Sequence, residues 1–419
     1  MSLKITPFKV HFADEQLDKL RTQVKAAHIP RPTYEASGTS DRNLGVTREW
    51  LLKVKAHWED GFDWLDCFVS SFGHTLAHLC LDVRRAQEAR CEPTCLGHGY
   101  QKCSRSFNTD SINEVKQFVA LIPQPTGDPF ELHFIHERST NPNAKTILFL
   151  HGWPGSFLEF IEAVKILREA GDYNIVVPSA PGYMFSDPPP VDRDYGLRDV
   201  AALMNDLMIG LGYEKYGVQA GDWGSAVARI MGVRYDTVHC VHLNLVVLPG
   251  PPAGHSFEAL SSSDKKMVEK TRKWAETGRG YAIMHATKPA TVGFVVASSP
   301  IAHLCWVGEK FLDWTDQDPS IDEILTSVTA QYLTDTYPTS IYTYRERSVG
   351  LHGEPEWFIK KPTGFSFFPE EIVQTPASWI GTTCNLVWTK EHSKGGHFAA
   401  MEQPELLAAD VREFFDQAW

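Results

Sequence analysis

The sequence has no apolar run long enough to cross a membrane, no run of basic residues, and few cysteines outside one short stretch. A membrane helix needs about 20 consecutive apolar residues, and the start Met1–Phe8 lacks the apolar centre of a signal peptide. We therefore expect a cytoplasmic protein without a membrane anchor. The net charge of −12 disfavours nucleic acid as a partner. A small neutral substrate fits this composition better.

Five of the 8 cysteines fall in or beside an unusual stretch, residues 68–110, which shows no sustained periodicity. A secreted disulfide framework would not be confined to one part of a long chain. Four residues of the stretch offer soft metal ligands at short spacing: Cys91, Cys95, His98 and Cys103. Their spacing matches no familiar zinc module, so we favour a surface insertion and predict no metal.

Short apolar strands alternate with helical patterns over most of the remaining chain. We predict strands at 118–122, 130–136, 146–150, 174–177, 218–220, 240–247, 363–368 and 385–389, and helices at 12–24, 47–58, 157–169, 197–211, from 225, and at 404–418. The first two of these strands form a hairpin around residues 123–129. This alternation predicts an α/β fold with a mostly parallel sheet covered on both faces.

The strand and helix rhythm stops at Pro249, and the chain to residue 348 is helical, aromatic and poor in strands. We interpret this part as a helical cap (lid) inserted over the carboxyl edge of the sheet, where open α/β sheets bind ligands. The predicted organisation is an N-terminal part, 1–117, a first core part, 118–248, the cap, 249–348, and a second core part, 349–419.

The stretch Val218–Ser225 is an apolar run that ends in small residues around one carboxylate, Asp222. A tight turn from strand to helix would present Asp222 at the tip of the sheet, and the crowding of such a turn requires the small neighbours Ala220 and Gly224. Asp222 is therefore a candidate nucleophile. An aspartate after a strand is also a common helix N-cap, which is the alternative interpretation.

Loops after two other predicted strands supply further candidates at the same edge. The segment His151–Ser156 is a Gly- and Pro-rich bend that can direct the Trp153 amide, together with that of Trp223, at a developing oxyanion. His397 follows the last strand and two glycines, where a general base is needed. His392, five residues earlier, is the alternative base.

A carboxylate must orient that histidine, and Glu370 and Glu371 follow the preceding strand. Their chemistry does not distinguish between them. The order nucleophile, acid, histidine along the chain is the order found in α/β-hydrolases.

Three motifs together resemble the epoxide hydrolases of the microsomal and juvenile-hormone type, in their soluble fungal branch. They are His151-Gly152-Trp153-Pro154-Gly155-Ser156, Gly221-Asp222-Trp223-Gly224-Ser225 and Gly395-Gly396-His397-Phe398-Ala399-Ala400. The resemblance spans the chain apart from about residues 68–110. It implies an α/β-hydrolase core, an inserted helical cap and an N-terminal meander with helices that wraps both.

The resemblance also implies roles for individual residues. Asp222 corresponds to the nucleophile, His397 to the base, and Glu371 rather than Glu370 to the acid, because Glu371 stands four residues before the family's Thr-Pro pair. Tyr281 and Tyr344 correspond to the two tyrosines of the cap.

The tyrosine assignment comes from the motifs alone, and from the residues themselves Tyr337 and Tyr342 stay open as alternatives. A cis peptide bond is expected before Pro154. Residues 68–110 depart from the family's shorter connection, which suggests either a retained intron or a lineage-specific surface loop.

The implied reaction is the hydrolysis of an epoxide to a vicinal diol through an ester on Asp222, with water activated by His397 and Glu371. The expected partners are a small apolar epoxide and water, with no cofactor, and a homodimer is an open expectation. A haloalkane dehalogenase, using Trp153 and Trp223 as halide donors, is one alternative. A non-catalytic binding protein of the same fold is another. The paired tyrosines and the complete set of reactive groups favour the epoxide.

Overall fold

The computed structural model describes residues 3–38, 42–62, 64, 109–125, 127–346 and 354–419. The four candidate metal ligands Cys91, Cys95, His98 and Cys103 lie outside these residues. So does almost all of the stretch that we interpret as an insertion.

The strands of the described chain form one sheet in the order β1-β2-β3-β5-β4-β6-β7-β8-β9. Their bounds are β1 Lys4–Phe8, β2 Gln117–Ile122, β3 Phe130–Glu137, β4 Lys145–Leu150, β5 Tyr173–Pro178, β6 Tyr216–Ala220, β7 Val238–Leu243, β8 Ile359–Phe367 and β9 Cys384–Glu391. Strands β1, β2, β3 and β5 pair antiparallel, with Ala120 opposite Leu132 in the predicted hairpin. The six strands from β4 to β9 run parallel to one another. The predicted α/β class with a mostly parallel sheet is confirmed.

Helices lie in the connections where the periodicity predicted them, and further short helices lie elsewhere. They are α1 Asp14–Ala26, α2 Arg48–Asp60, α3 Thr109–Ile112, α4 Ile161–Ala170, α5 Leu197–Gly210, α6 Asp222–Arg234, α7 Ser262–Thr277, α8 Gly280–Thr287, α9 Pro289–Ala297, α10 Pro300–Asp313, α11 Ile321–Leu333, α12 Tyr337–Ser340, α13 Ala377–Ile380, α14 Ala399–Glu402 and α15 Pro404–Ala418. Short 3-10 turns cover Phe157–Phe160, Tyr342–Arg345 and Pro355–Trp357. No single helix of the described ranges is long and apolar enough to cross a membrane, and α9 with α10 passes that test only as a pair bent by 114°.

Helices cover both faces of the sheet, as the apolar composition of the parallel strands requires. On one face, Leu148 and Val218 pack with α5 and α6 through residues such as Met204 and Ile230. On the other face, Ile147 and Phe149 belong to a separate cluster that contains the apolar sides of α4 and α15.

Helices α7 to α12 lie over the loops that follow the carboxyl ends of the strands. Val292, Leu304 and Phe311 from these helices share one apolar cluster with Trp153 after β4 and Phe398 after β9. The same cluster contains the buried faces of α1 and α2. The helical segment therefore covers the edge of the sheet at which the candidate residues were expected.

Among the differences from the sequence predictions, three concern the edge of the sheet and the surroundings of Asp222. β1 was not predicted, because Pro7 interrupts a short and mostly exposed segment, and proline is tolerated there only because β1 is the edge strand. β7 ends at Leu243 rather than at residue 247. Helix α6 begins at Asp222 rather than at Ser225.

Candidate active site

Asp222 is the first residue of α6 and has a left-handed backbone conformation, with φ 42°. Such a conformation is strained for a residue other than glycine and is typical of functional turns. Gly221 occupies the N-cap position, so the alternative interpretation of Asp222 as a plain helix cap is wrong. The turn leaves the Asp222 side chain partly exposed at the end of β6.

The bend after β4 closes directly on the Asp222 carboxylate. A Cβ atom at Gly152 would overlap the Asp222 side chain, so only glycine allows the two segments to approach this closely. The Trp153 backbone N–H donates a hydrogen bond of 2.8 Å to Asp222 Oδ1. The Trp153–Pro154 peptide bond is cis, as expected. The ring of His151, the first residue of the motif, accepts a 3.0 Å hydrogen bond from the Ala180 backbone through Nε2.

His397 lies between two carboxylates. Its Nε2 is 3.3 Å from Asp222 Oδ2, and its Nδ1 is 2.7 Å from Glu371 Oε1. Burial disfavours the charged imidazole, but the facing charges of Glu371 and Asp222 outweigh burial and hold the pKa of His397 well above its ordinary value. The backbone N–H of His397 is fixed by a 2.8 Å hydrogen bond to the Trp314 carbonyl.

The structure places the two alternative residues away from this arrangement. Glu371 is buried and accepts a 2.7 Å hydrogen bond from the Ile372 N–H, whereas the Glu370 side chain is 47% exposed and pairs with Lys270. His392 Nε2 lies 2.6 Å from the carboxylate of Asp410 instead.

Tyr281 in α8 and Tyr344 in a 3-10 turn face the same end of the sheet. The Tyr281 ring stacks on Trp153 at 5.2 Å, and the two tyrosine rings are 5.8 Å apart. The Tyr344 ring contacts Trp223 at 5.0 Å. Burial, reinforced by the Asp222 carboxylate, raises the pKa of Tyr281 above its ordinary value, and that of Tyr344 is likewise raised by burial and its charged surroundings. Both phenols therefore keep their protons at neutral pH and can donate hydrogen bonds.

The other two tyrosines have different surroundings. The Tyr337 hydroxyl is 2.9 Å from His285 Nε2. The Tyr342 ring packs against Tyr195, and its hydroxyl has no hydrogen-bond partner among the described residues.

A cavity of about 750 Å³ reaches Asp222, Trp223 and both Tyr281 and Tyr344. Its walls are largely apolar and include Trp274 from α7. Three cap aromatics that could have lined it do not: Trp306, Phe311 and Trp314. Phe311 and Trp314 are instead buried core residues.

Glu159, which the sequence reasoning missed, lies on the other side of Asp222. A second cavity of about 20 Å³ is lined by Glu159, Asp222, His397, Gln219 and Asn244. Burial raises the pKa of Glu159 to about 8; the Asp222 carboxylate adds to this rise, while His397 and the Ser156 backbone oppose it. The one signal in the sequence was its place four residues after Gly155, within the turn that follows the candidate bend.

Comparison with known proteins gives consistent results along the chain. The family described as the epoxide hydrolase N terminus matches residues 5–79 and 104–160, and the alpha/beta hydrolase fold matches residues 145–284. A sequence relative from Dothistroma septosporum that carries the epoxide hydrolase name is 34% identical over 100% of this chain and 91% of its own length.

Solved structures show the same relationship. The epoxide hydrolase of Aspergillus niger is 38% identical and superposes with a TM-score of 0.85, covering 100% of this chain and 97% of that one. The juvenile hormone epoxide hydrolase of the silkworm Bombyx mori shares the fold at 22% identity, with a TM-score of 0.79 over 99% of this chain and 95% of its own.

Proposed function

The chain belongs to the epoxide hydrolases, which are hydrolases acting on ether bonds, and we propose that it opens its epoxide through a covalent ester on Asp222. The observation that carries this mechanism is the position of the Asp222 carboxylate. It borders the large cavity together with Tyr281 and Tyr344, and it lies 3.3 Å from His397 Nε2.

In the first step, an Asp222 carboxylate oxygen attacks a carbon of the epoxide ring and the ring C–O bond breaks. The oxygen that leaves becomes an alkoxide, and Tyr281 or Tyr344 gives it a proton. Support comes from the raised pKa of both phenols, which keeps them protonated until a stronger base develops beside them. The products of this step are the Asp222 ester and a tyrosinate.

In the second step, Asp222 is an ester and no longer carries the charge that helps to raise the pKa of His397, so the imidazole gives up its proton to solvent and can act as a base. The neutral His397 Nε2 then takes a proton from water, and the water oxygen attacks the ester carbonyl carbon of Asp222. The Trp153 N–H, which donates to Asp222 Oδ1, and the Trp223 amide are the proposed donors to the tetrahedral oxyanion. As the ester C–O bond breaks, the imidazolium protonates the departing diol oxygen. The new Asp222 acid then returns a proton to the tyrosinate, which restores the enzyme.

Haloalkane dehalogenation is the second candidate function, because the buried Trp153 indole N–H has no hydrogen-bond partner among the described residues. Such an N–H could donate to a departing halide. The two protonated tyrosines favour the epoxide, since a halide leaves without needing a proton. Parallel assays of halide release and of diol formation distinguish the two reactions.

A single turnover in heavy-oxygen water tests the covalent step. With enzyme in excess over a styrene-type epoxide, the diol should contain no label, and the peptide that contains Asp222 should gain it, because water attacks the Asp222 carbon and not the substrate. The Asp222→Ala variant should form no diol. Label found directly in the diol would contradict the ester mechanism.

We also propose that the enzyme acts in the cytoplasm and forms a homodimer. Cys240, Cys305 and Cys384 are free thiols, which supports a reducing compartment such as the cytoplasm.

Phe294 and Val295 on α9 are 77% and 60% exposed, which supports a homodimer through this helix. Light scattering on the wild type and on Phe294→Asp tests the dimer, because the variant should be monomeric if α9 forms the interface.

A further inference from the structure

Asp222 lies between two cavities that have no other lining residue in common. The large cavity contains the tyrosines and suits the epoxide. The small one, of about 20 Å³, contains His397 and has room for about one water molecule. Substrate and hydrolytic water would therefore reach the Asp222 carboxyl from different sides.

The small cavity offers polar partners for that water. Gln219 is almost fully buried, donates through Nε2 to Asn244 Oδ1 at 3.0 Å, and has an Oε1 atom with no hydrogen-bond partner among the described residues. The Glu159 carboxyl lines the same cavity. A cavity water needs two to four polar partners to be held in one orientation, and these groups supply them.

The fold directs the Glu159 carboxyl inward. A Cβ atom at Gly155 would lie only 1.5 Å from Glu159 Oε1, so the carboxyl occupies space that the missing side chain of Gly155 leaves. Glu159 lies in the 3-10 turn Phe157–Phe160, whose N-cap is Ser156. Glu162, on the following turn, instead forms a 3.1 Å ion pair with Lys165.

We infer that Glu159 is a positioning residue for the hydrolytic water. Its carboxyl oxygen accepts a hydrogen bond from one hydrogen of this water, while His397 Nε2 takes the other hydrogen as a proton. The inference rests on the proposed ester mechanism. Water loses one proton to His397, and its oxygen forms the new bond to the Asp222 carbon. Glu159 makes a hydrogen bond and undergoes no net proton change. A carboxyl oxygen can accept this bond in either protonation state.

The Glu159→Leu variant tests this role, because ester formation and ester hydrolysis, the two half-reactions, can be measured separately. Rapid mixing with excess epoxide, followed by acid quench and mass spectrometry of the intact protein, gives the rate at which the ester forms and the rate at which it disappears. We expect ester formation to stay within about twofold of the wild type. We expect ester hydrolysis to fall about 10- to 100-fold, because the water is no longer oriented, and the ester to accumulate.

Two further variants distinguish positioning from folding. Glu159→Gln keeps a carbonyl acceptor of the same length and should retain most of the hydrolysis rate. Gly155→Ala displaces the carboxyl without altering it and should reproduce the slow hydrolysis. Glu162→Gln is the control on the neighbouring turn and should behave like the wild type.

An equal loss in both half-reactions, or unchanged hydrolysis in Glu159→Leu, would overturn the role of Glu159. The absence of any ester in the wild type would instead overturn the proposed mechanism itself. The two failures are therefore distinguishable in the same experiment.

Discussion

Glu371 Oε1 lies 2.7 Å from Nδ1 of His397, and the same oxygen accepts the backbone N–H of Ile372. The carboxylate is therefore held in place before it orients the histidine. Its pairing with Nδ1 assigns a proton to that nitrogen, so Nε2 is the ring nitrogen that faces Asp222 and the attacking water.

The Glu371→Gln variant should hydrolyse its ester at least about 100-fold more slowly, because an amide can hold the ring but does not stabilise the imidazolium that forms. Ester formation should change much less. Rapid-quench mass spectrometry measures both rates. Glu370→Gln is the matched control, since that side chain is exposed and paired with Lys270. A larger effect at Glu370 than at Glu371 would contradict the assignment.

Tyr281→Phe and Tyr344→Phe should each slow ester formation by about 10- to 100-fold, because each removes one proton donor from the opening epoxide. Ester hydrolysis should be affected less in either variant. Tyr342→Phe is the control, since its buried hydroxyl has no partner in the described part of the chain. If Tyr342→Phe slows ester formation as strongly, the pair of donors has been misassigned.

Lys310 is a buried cation that lies over the ring of Tyr281. Its side chain is 6% exposed, is paired with Glu309, and places Nζ 4.8 Å from the centre of the Tyr281 ring. A cation over this ring should favour the negative charge that Tyr281 gains when it gives up its proton. Lys310→Met should slow ester formation by about tenfold, equal to about 1.4 kcal/mol, with Lys266→Met as an exposed control. Equal rates in the two variants would rule out this electrostatic effect.

Burial lowers the pKa of His242 to about 3. An unfolded histidine gains its proton near pH 6.5, whereas the folded His242 does not, so the free energy of unfolding falls as the pH decreases from about 6.5 toward 3. The titration of His242 lowers the free energy of unfolding by about 1.4 kcal/mol for each pH unit in this range. Urea unfolding of the wild type and of His242→Gln between pH 7 and 5 measures this. The variant should lose stability less steeply with acid, and parallel slopes would contradict the expected pKa.

The membership of the epoxide hydrolases could be predicted from three motifs, and the α/β fold from the alternation of strands and helices. Parallel strands bring the loops at Trp153, Asp222 and His397 to one edge, so their positions after strands already indicated their proximity. The small neighbours of Asp222 indicated a crowded turn, and the structure shows a left-handed φ at Asp222 in that turn.

Glu159 and the choice between the two glutamates depend on contacts that no local pattern reveals. Glu159 has the sequence context of a solvent-facing acid at the start of a helix, and it turns inward only because Gly155 leaves room for it. Glu371 differs from Glu370 in burial and in its partner, not in chemistry. Such differences are set by tertiary packing, which the sequence pattern does not specify.

The described residues on either side of residues 65–108 contact each other in the structure, which predicts that this part of the cysteine-rich stretch is dispensable for folding. The Trp64 carbonyl accepts hydrogen bonds from the Thr109 backbone N–H at 3.2 Å and from its hydroxyl at 2.9 Å. The match to the N-terminal family also stops at residue 79 and resumes at residue 104. A short linker can therefore join these ends at a small entropic cost.

Replacing residues 67–106 with four glycine and serine residues should leave the melting temperature and the rate of diol formation close to those of the full chain. Thermal unfolding and an epoxide assay check this, and sequencing of the cDNA tests the intron hypothesis, which a transcript that contains the stretch would contradict. A deletion variant that fails to fold, when the full chain folds, would show that the stretch contributes to the core beneath Trp64.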